Sequence, residues 1–366
     1  MLAAGCDGVW GLTHVHYSPP MADAPPDAPC PNGPLAAGQA GSLMTICALP
    51  ALQPNFPTAA MTDIDTELCA SPASVVAQGG ADSPEVCMVA AEVISIGASQ
   101  LVRAHGQRPL VLLSAGAIDV AGTVDVATRK GSPIGAGSDW ADCPSPRDRD
   151  GSGTGASGAG GSFGGSGGAG GKSTNGGAGT SGIPDPTVVP SQLRGGCPGG
   201  NGNDAPTSGV RGSSGGAVYL IAAGTITISG VINASGSGGL GGDGARGGGG
   251  GGSGGMIALD APSIVVASSA RIFANGGGGG GGGGSSAAAP GGDGADPTTA
   301  NVAAAGGISG SPGGAQGGNG SAGTVVDGVA GAGGPQGAGA GGGGAGYVRL
   351  IGPSMALDGM ISPPAG

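Results

Sequence analysis

The stretch "GGAVYLIAAGTITISGVINAS", residues 215–235, decides how the chain folds. Its apolar residues alternate with small or polar ones, as they do in a strand that buries one face. The alternation is carried by Val218, Tyr219, Ile221, Ile226, Ile228 and Ile232. Long glycine runs flank the stretch, although glycine weakens a strand because it loses much conformational entropy on folding. The pattern therefore predicts strands joined by glycine-rich segments of a different kind.

The same pattern occurs in three other segments of the chain. Each copy reads as a strand, a small turn, a second strand, a break and a third short strand, in about 19 residues. In the first strand we align Val111 with Tyr219, and both with Ile257 and Val348. A weaker fifth copy over 88–106 contains Ile94 and Ile96. The second strands match at Ile118, Ile226, Ile264 and Met355, and the third strands at Val124, Ile232, Ile272 and Ile361.

These repeats predict the fold class. One unit cannot bury its apolar face alone, whereas stacked units cover one another. The sequence thus predicts an all-β protein, a parallel β-helix or solenoid of four to five units of about 19 residues, coiled with the usual right hand. An antiparallel sheet or sandwich is the alternative.

Three glycine-rich inserts, 129–216, 237–255 and 276–346, leave the unit after its third strand and return before its first. We expect them along one lateral edge of the stack. Glycine segments form either flexible coil or extended threads like polyglycine II, which pack closely because no Cβ intervenes. Both states remain open, since ordering glycine has a high entropic cost. Asp243 and Asp293 precede glycines within the inserts and are interpreted as turn residues.

Composition narrows the function classes. The 366 residues include 91 Gly and 29 Pro, about a third of the chain, yet hydrophobic residues reach 38% and charged residues only 10%. Simple disorder normally combines low hydrophobicity with high charge. A net charge of −11 argues against nucleic-acid binding, which needs a basic surface. No apolar run is long enough for a membrane-spanning helix.

The chain has seven cysteines, an odd count that suggests three pairs and one special residue. The nearest pairings are Cys30 with Cys47, Cys69 with Cys87, and Cys143 with Cys197, although six cysteines allow 15 arrangements. Cys143 and Cys197 both lie in the first insert and would close a loop of 54 residues. Disulfides predict an oxidising, extracytoplasmic location.

The beginning of the chain, "MLAAGC", resembles the lipobox of bacterial lipoproteins. That resemblance implies that Cys6 is lipidated and anchors the protein to a membrane; an ordinary thiol is the alternative. We divide the chain into a lipobox and N-terminal segment (1–17), a spacer rich in Pro and Asp (18–35), a cysteine-containing cap region (36–87) and the repeats with their inserts (88–366).

Other resemblances concern the whole layout. Units such as "GTITISGVINASG" resemble rungs of bacterial β-helical adhesins of the filamentous-haemagglutinin type. The order of lipobox, spacer, cysteines, "GGAVYLIA" and "ANGGGGG" resembles glycine-rich lipoproteins predicted in myxobacteria and related bacteria. The segment "GGSGGAGGKSTNGGAGTSG" is similar in composition to the PE-PGRS proteins of mycobacteria. None of these families implies catalytic residues.

Two weak metal candidates stand out. His14 and His16 lie on the same side of an extended segment, but a metal site needs three or four ligands. Asp148 and Asp150, in "DRDGSG", resemble half of a calcium loop whose last position, where a bidentate Glu is required, is Ala159. "GGKST" at 170–174 resembles the end of a phosphate-binding loop but lacks a preceding strand. We therefore predict no bound metal and no cofactor.

The sequence predicts a non-catalytic, surface-exposed structural or adhesive lipoprotein. Its expected partners are a membrane, through the anchor, and an extracellular polysaccharide or another surface protein, but no nucleic acid. We expect it outside the cytoplasm, at the cell surface or outer membrane. The alternatives are a carbohydrate-active β-helix enzyme, which would need clustered carboxylates, and a disordered glycine-rich matrix or coat protein.

Overall fold

The computed structural model describes residues 15–17, 35–37, 45–46, 51–76, 85–141, 143, 150–174, 180–203, 208–286 and 288–366. Regular structure within these ranges consists of strands, with no α-helix. The strands are β1 (Val15–Tyr17), β2 (Leu35–Ala37), β3 (Thr45–Ile46), β4 (Gln53–Phe56), β5 (Met61–Asp65), β6 (Ser74–Val76), β7 (Val86–Ile96), β8 (Leu101–His105), β9 (Leu110–Ser114), β10 (Ile118–Val120), β11 (Thr123–Asp125), β12 (Ala217–Ala222), β13 (Thr225–Ile228), β14 (Val231–Asn233), β15 (Met256–Asp260), β16 (Ser263–Val266), β17 (Arg271–Phe273), β18 (Tyr347–Ile351), β19 (Ser354–Leu357) and β20 (Met360–Ser362).

Most strands belong to two parallel sheets. An eleven-stranded sheet has the order β18-β15-β12-β9-β7-β10-β13-β16-β19, with β4 and β6 also paired to β7. A six-stranded sheet has the order β20-β17-β14-β11-β8-β5. In these two sheets only the β6–β7 pair is antiparallel. Separately, β1, β2 and β3 form a small antiparallel sheet.

The larger sheet curls because of β7. This eleven-residue strand pairs with β9 through Cys87–Ala91 and with β10 through Ile94–Ile96. The two arms of the sheet therefore turn toward each other like half of a barrel, and the six-stranded sheet faces them. Both sheets contribute aliphatic side chains to one buried core, including Leu112, Ile118 and Val124. Such burial of aliphatic surface stabilises the fold by roughly 25 cal/mol per Å².

The predicted parallel β-helix of stacked units is wrong. The first and second strands of the repeat lie in one curled sheet, and only the third strands form a separate sheet. Alternation reports which side chains are buried, but it does not report how neighbouring strands join, so it fits a coil of separate faces and a curled sheet equally well. The antiparallel sandwich is not formed either. Strands β4, β5 and β6, from the region 36–87, pair with β7 and β8.

The aligned positions pair in register in the second and third strands, where Ile118 pairs with Ile226 and Val124 with Ile232. In the first strand the alignment slips by one residue at the third copy, because Tyr219 pairs with Ala258 and Val218 with Ile257. A slip of one residue moves a side chain to the opposite face of a sheet. Both faces of β9, β12 and β15 are buried, so apolar residues occupy both sets of positions. The alternation therefore does not show which residues share a face.

The outer face of these first strands carries a second apolar cluster, which the first insert covers with Phe163 and Leu193. Phe163 packs edge to face with Tyr347, with ring centroids 5.1 Å apart. The buried Tyr219 hydroxyl donates to Asp260 Oδ2 at 2.7 Å. The first insert is therefore part of the packed protein.

The described parts of the inserts form extended threads whose hydrogen bonds repeat every three residues. The N–H groups of Gly248, Gly251 and Gly254 donate to the carbonyls of Ala338, Gly341 and Gly344, each at 3.0 Å. This period is that of a helix with three residues per turn, which has no internal hydrogen bonds and can offer every backbone group to a neighbour. We call the assembly of threads the glycine bundle. It comprises 155–163, 165–173, 193–203, 208–216, 234–243, 246–255, 275–284, 289–296, 304–310, 314–322, 326–334 and 337–346.

Thread 246–255 shows how closely the bundle is packed. It hydrogen-bonds to six other threads, donating to three and accepting from three. A Cβ added to Gly250 would lie 1.8 Å from the carbonyl oxygen of Ala159, which no side chain tolerates. Glycine is therefore required here by the close approach of two backbones. Thread 246–255 donates hydrogen bonds to threads 193–203, 234–243 and 337–346 and accepts them from threads 155–163, 208–216 and 275–284.

The bundle and the sheets share one network of backbone hydrogen bonds. The parallel pair β14–β17 continues beyond its strands, because Ala234 N–H donates to Phe273 O and Gly236 N–H donates to Asn275 O. The same ladder then runs into threads 234–243 and 275–284, where Gly239 N–H donates to Gly278 O. The inserts are therefore extensions of the strands rather than lateral appendages.

Candidate functional site

Three threads at the surface of the bundle form a row, which we call the outer row: 304–310, 314–322 and 326–334. Its members are antiparallel neighbours, since Gly317 N–H donates to Gly307 O and Val329 N–H donates to Asn319 O. The row lies on the interior threads, to which it is joined by bonds such as Gly318 N–H to Ala340 O. The outer row is thus a layer with one free side.

In the outer row, positions that face the interior recur every third residue and are mostly glycine, whereas most positions that face outward carry side chains. Gly317 and Gly320 face the interior, where an added Cβ would lie 2.1 and 2.0 Å from a carbonyl oxygen. Outward positions carry side chains, among them Ile308, which is 72% exposed, and Val329, which is 50% exposed. Side chains at these positions prevent another thread from packing against the backbone, so the bundle ends here. The other exposed side chains of the row are Ala305, Ser309, Gln316, Asn319, Asp327, Ala330 and Ala332.

The outer row is almost uncharged. Asp327 is its one ionisable side chain, and its carboxylate accepts the Ser166 N–H at 2.8 Å. The whole chain, by contrast, carries a net charge of −11. The row therefore presents small apolar and amide side chains, together with outward N–H groups such as those of Ala330 and Gly333. Neither of these N–H groups has a backbone or side-chain acceptor in the described part of the chain.

Polar side chains replace a missing neighbour at other edges of the bundle. Asp296 accepts the Gly238 N–H at 2.8 Å, and Asp293 accepts the Gly241 N–H at 3.0 Å. Interpreting Asp293 as a turn residue therefore missed its role, because its acceptor serves another thread. A carboxylate that accepts from a backbone N–H satisfies a donor that would otherwise need water.

Two disulfides join described cysteines: Cys69 with Cys87, and Cys143 with Cys197, each with a Cα–Cα distance of 5.6 Å. Arg194 Nη2 lies 3.2 Å from both sulfurs of the second disulfide. Its guanidinium also lies 5.0 Å from the centroid of the Phe163 ring. The disulfide is therefore tied to the apolar cluster beneath the first insert. Cys6, Cys30 and Cys47, and with them the anchor and the third pairing, lie outside the described residues.

The predicted metal candidates do not form a site in the described residues. Asp150 Oδ1 accepts the Asn201 N–H at 2.6 Å, so it serves the backbone. His16 lies in β1, opposite Ala36, whereas His14 and Asp148 lie outside the described residues. Among the described residues no group of three His, Cys, Asp or Glu side chains is placed to hold a metal ion.

Of the cavities at the surface of the described residues, two have linings that bear on function. The larger, about 570 Å³, lies at the last strand of the eleven-stranded sheet and is lined by Val189, Tyr347, Arg349, Ile351 and Met355 among others. Burial raises the pKa of Tyr347 above its usual value. The smaller, about 320 Å³, is lined by Glu67, Glu85, Gln107, Arg108 and Trp140.

Sequence reasoning missed the smaller cavity, although a signal was present. Glu67 and Glu85 each precede a cysteine by two residues, in "ELC" and "EVC", and Trp140 precedes Cys143 by three. These segments are far apart in the sequence, and only the fold brings them to one place.

No family model matches the chain, and neither do the curated proteins or the solved structures. The resemblances drawn from the sequence therefore stay predictions. The two disulfides are compatible with an extracytoplasmic location. In the described ranges we find no helix with the length and apolar character needed to cross a membrane.

Proposed function

We propose that the protein is a non-catalytic structural or adhesive protein of the cell surface, in which the glycine bundle is a rigid body that presents the outer row. The observation that supports this role is the three-residue hydrogen-bond ladder of the bundle. Because backbone groups hold the threads, the surface is built before any partner arrives, and little entropy is lost on contact.

The chemistry of the outer row suits adhesion by shape. Exposed apolar side chains favour contact with another surface, and the row carries Ile308 and Val329 among small residues. Outward N–H groups can donate to hydroxyl or carbonyl oxygens. The near absence of charge avoids a strong preference for ionic partners. A neutral extracellular polysaccharide or another surface protein fits these features.

We further propose that Cys6 holds a lipid and that residues 18–35 separate the bundle from the membrane. The motif "LAAGC" and the spacer rich in Pro and Asp support this arrangement. The anchor would place the protein at the cell surface or outer membrane. Metabolic labelling with a fatty acid, lost in Cys6→Ser, is the direct check.

The adhesive role is tested with beads coated with the oxidised protein, under flow, on the envelope polysaccharide of a bacterium that carries the gene. We expect Ile308→Asp/Val329→Asp to weaken retention about tenfold, because two carboxylates would have to be desolvated at the contact. Ile183→Asp is the matched control, since Ile183 is also exposed but belongs to the first insert and to none of the three threads of the outer row. Equal retention of both variants and the wild type would remove the outer row from the proposed function.

A further inference from the structure

The smaller cavity is a cleft built from four separate parts of the chain. Glu67 lies in the turn after β5, and Glu85 directly precedes β7. Gln107 and Arg108 lie between β8 and β9, and Trp140 lies in the segment that begins the first insert. Aromatic, amide, carboxylate and guanidinium groups thus converge on about 320 Å³, a volume at the small end of ligand sites.

Arg108 is held in a fixed position at the cleft. Its Nε and Nη2 each lie 2.9 Å from Glu85 Oε2, and its Nη1 donates to the Glu67 carbonyl at 2.6 Å. These contacts link three of the four parts of the chain. They also neutralise the Glu85 charge locally, so the cleft is polar without a large net charge.

Both described disulfides brace the cleft. Cys69 and Cys87, which are bonded to each other, follow Glu67 and Glu85 by two residues. The Cys143 N–H donates to the Trp140 carbonyl at 3.0 Å, and Cys143 is bonded to Cys197. The cleft is therefore preorganised by covalent links, in a chain whose other rigid parts are held by backbone hydrogen bonds.

Backbone contacts fix the two remaining loops. Gly106 N–H donates to Ile134 O, and Gly137 N–H donates to Gly106 O, so the β8–β9 turn is joined to the segment that leads to Trp140. Asp139, directly before Trp140, exchanges hydrogen bonds with Ser214: its N–H donates to the Ser214 hydroxyl and its carboxylate accepts the Ser214 N–H. Trp140 itself is half-buried, which limits the freedom of its ring.

We propose that this cleft binds one neutral sugar residue of a polysaccharide chain. Trp140 lines the cleft, and an indole can stack on the C–H groups of a pyranose ring, because Trp is suited to sites that are apolar on one side and wet on the other. Carboxylate, amide and guanidinium groups supply acceptors and donors for the ring hydroxyls. This inference goes beyond the adhesive role, because it names a ligand. It rests on the proposed function only in that sugar binding would contribute to adhesion.

The charges of the site favour a neutral sugar over an acidic one. Arg108 is paired with Glu85, so among the described residues Glu67 is the unpaired carboxylate of the cleft, and the chain carries a net charge of −11; both disfavour an acidic sugar. The cleft has room for a single residue, and a longer chain would continue across the exposed Glu67 and Gln107. One such contact is weak, with a dissociation constant of about 1 mM, and many anchored copies would add to a firm attachment.

The test is titration calorimetry of the oxidised full chain with soluble cello-, malto-, manno- and galacto-oligosaccharides. We expect at least one series to bind, Trp140→Ala to weaken that binding at least tenfold, and Trp140→Phe to retain part of it. Gln107→Ala, at an exposed position, should weaken binding without affecting the fold. Ile183→Asp is the control that should leave binding unchanged. A thermal midpoint equal to the wild type shows that each variant is folded.

Two results would overturn the proposal: no binding in any series at about 10 mM, or binding that Trp140→Ala leaves intact. Release of reducing ends that is lost in Glu67→Gln would replace binding by catalysis. The bead assay separates this inference from the proposed function. Loss of sugar binding with retention that depends on the outer row would leave adhesion standing, and the reverse pattern would leave the cleft standing.

Discussion

Single glycines decide where backbones in this protein touch. At Gly250 an added Cβ would lie 1.8 Å from the Ala159 carbonyl oxygen, whereas at the exposed Gly333 the nearest atom would be 3.0 Å away. The sequence shows glycine at both positions and does not show which of the two has room for a side chain. The difference comes from the number of threads around each residue, which is a property of the assembled bundle.

We therefore expect Gly250→Ala to lower the free energy of unfolding by about 3 kcal/mol, since a methyl group forced into a packed interior displaces the backbone around it. Gly333→Ala, the matched control, should lower it by no more than about 1 kcal/mol, because the Lys172 carbonyl 3.0 Å away has to shift only slightly. Denaturant unfolding followed by circular dichroism compares the two variants. Equal stability of both would show that threads 155–163 and 246–255 do not approach as closely as described.

Among the elements, strands were the easiest to predict and their assembly the hardest. Alternation located β12 and β13 and the aligned second strands, because burial of one face leaves a period of two in the sequence. It failed to orient β15, whose Met256 and Ile257 lie on opposite faces that are both buried. It also could not reveal that β7 belongs to both arms of one sheet.

The first insert is an element held by its disulfide. The bond between Cys143 and Cys197 closes a loop of 54 residues over the outer face of the sheet. We expect Cys143→Ser/Cys197→Ser to lower the free energy of unfolding by about 4 kcal/mol, from the greater entropy of the unfolded chain. Denaturant unfolding with and without a reductant gives the measurement. If reduction destabilised the double variant as much as the wild type, the stabilisation would come from another disulfide and not from Cys143–Cys197.

At the scale of the whole molecule, the sheets and the glycine bundle form one hydrogen-bonded body. Sequence reasoning left the inserts as either ordered threads or flexible coil, because a glycine run has no side chains to report which threads are neighbours. The cleft was also beyond its reach, since Glu67, Glu85, Arg108 and Trp140 meet only after the curled sheet has formed. The sequence contained one weak sign of the cleft: two glutamates each precede a cysteine by two residues.

Amide hydrogen exchange at residue resolution, on the oxidised protein, tests the rigid bundle most directly. In thread 326–334 the N–H groups of Gly328, Gly331 and Gly334 donate to other threads, whereas those of Asp327, Ala330 and Gly333 have no acceptor among the described residues. We predict slow exchange at the first three positions and fast exchange at the second three, a protection pattern with a period of three. Uniformly fast exchange along this thread and along 246–255, with protection confined to the strands, would contradict the account.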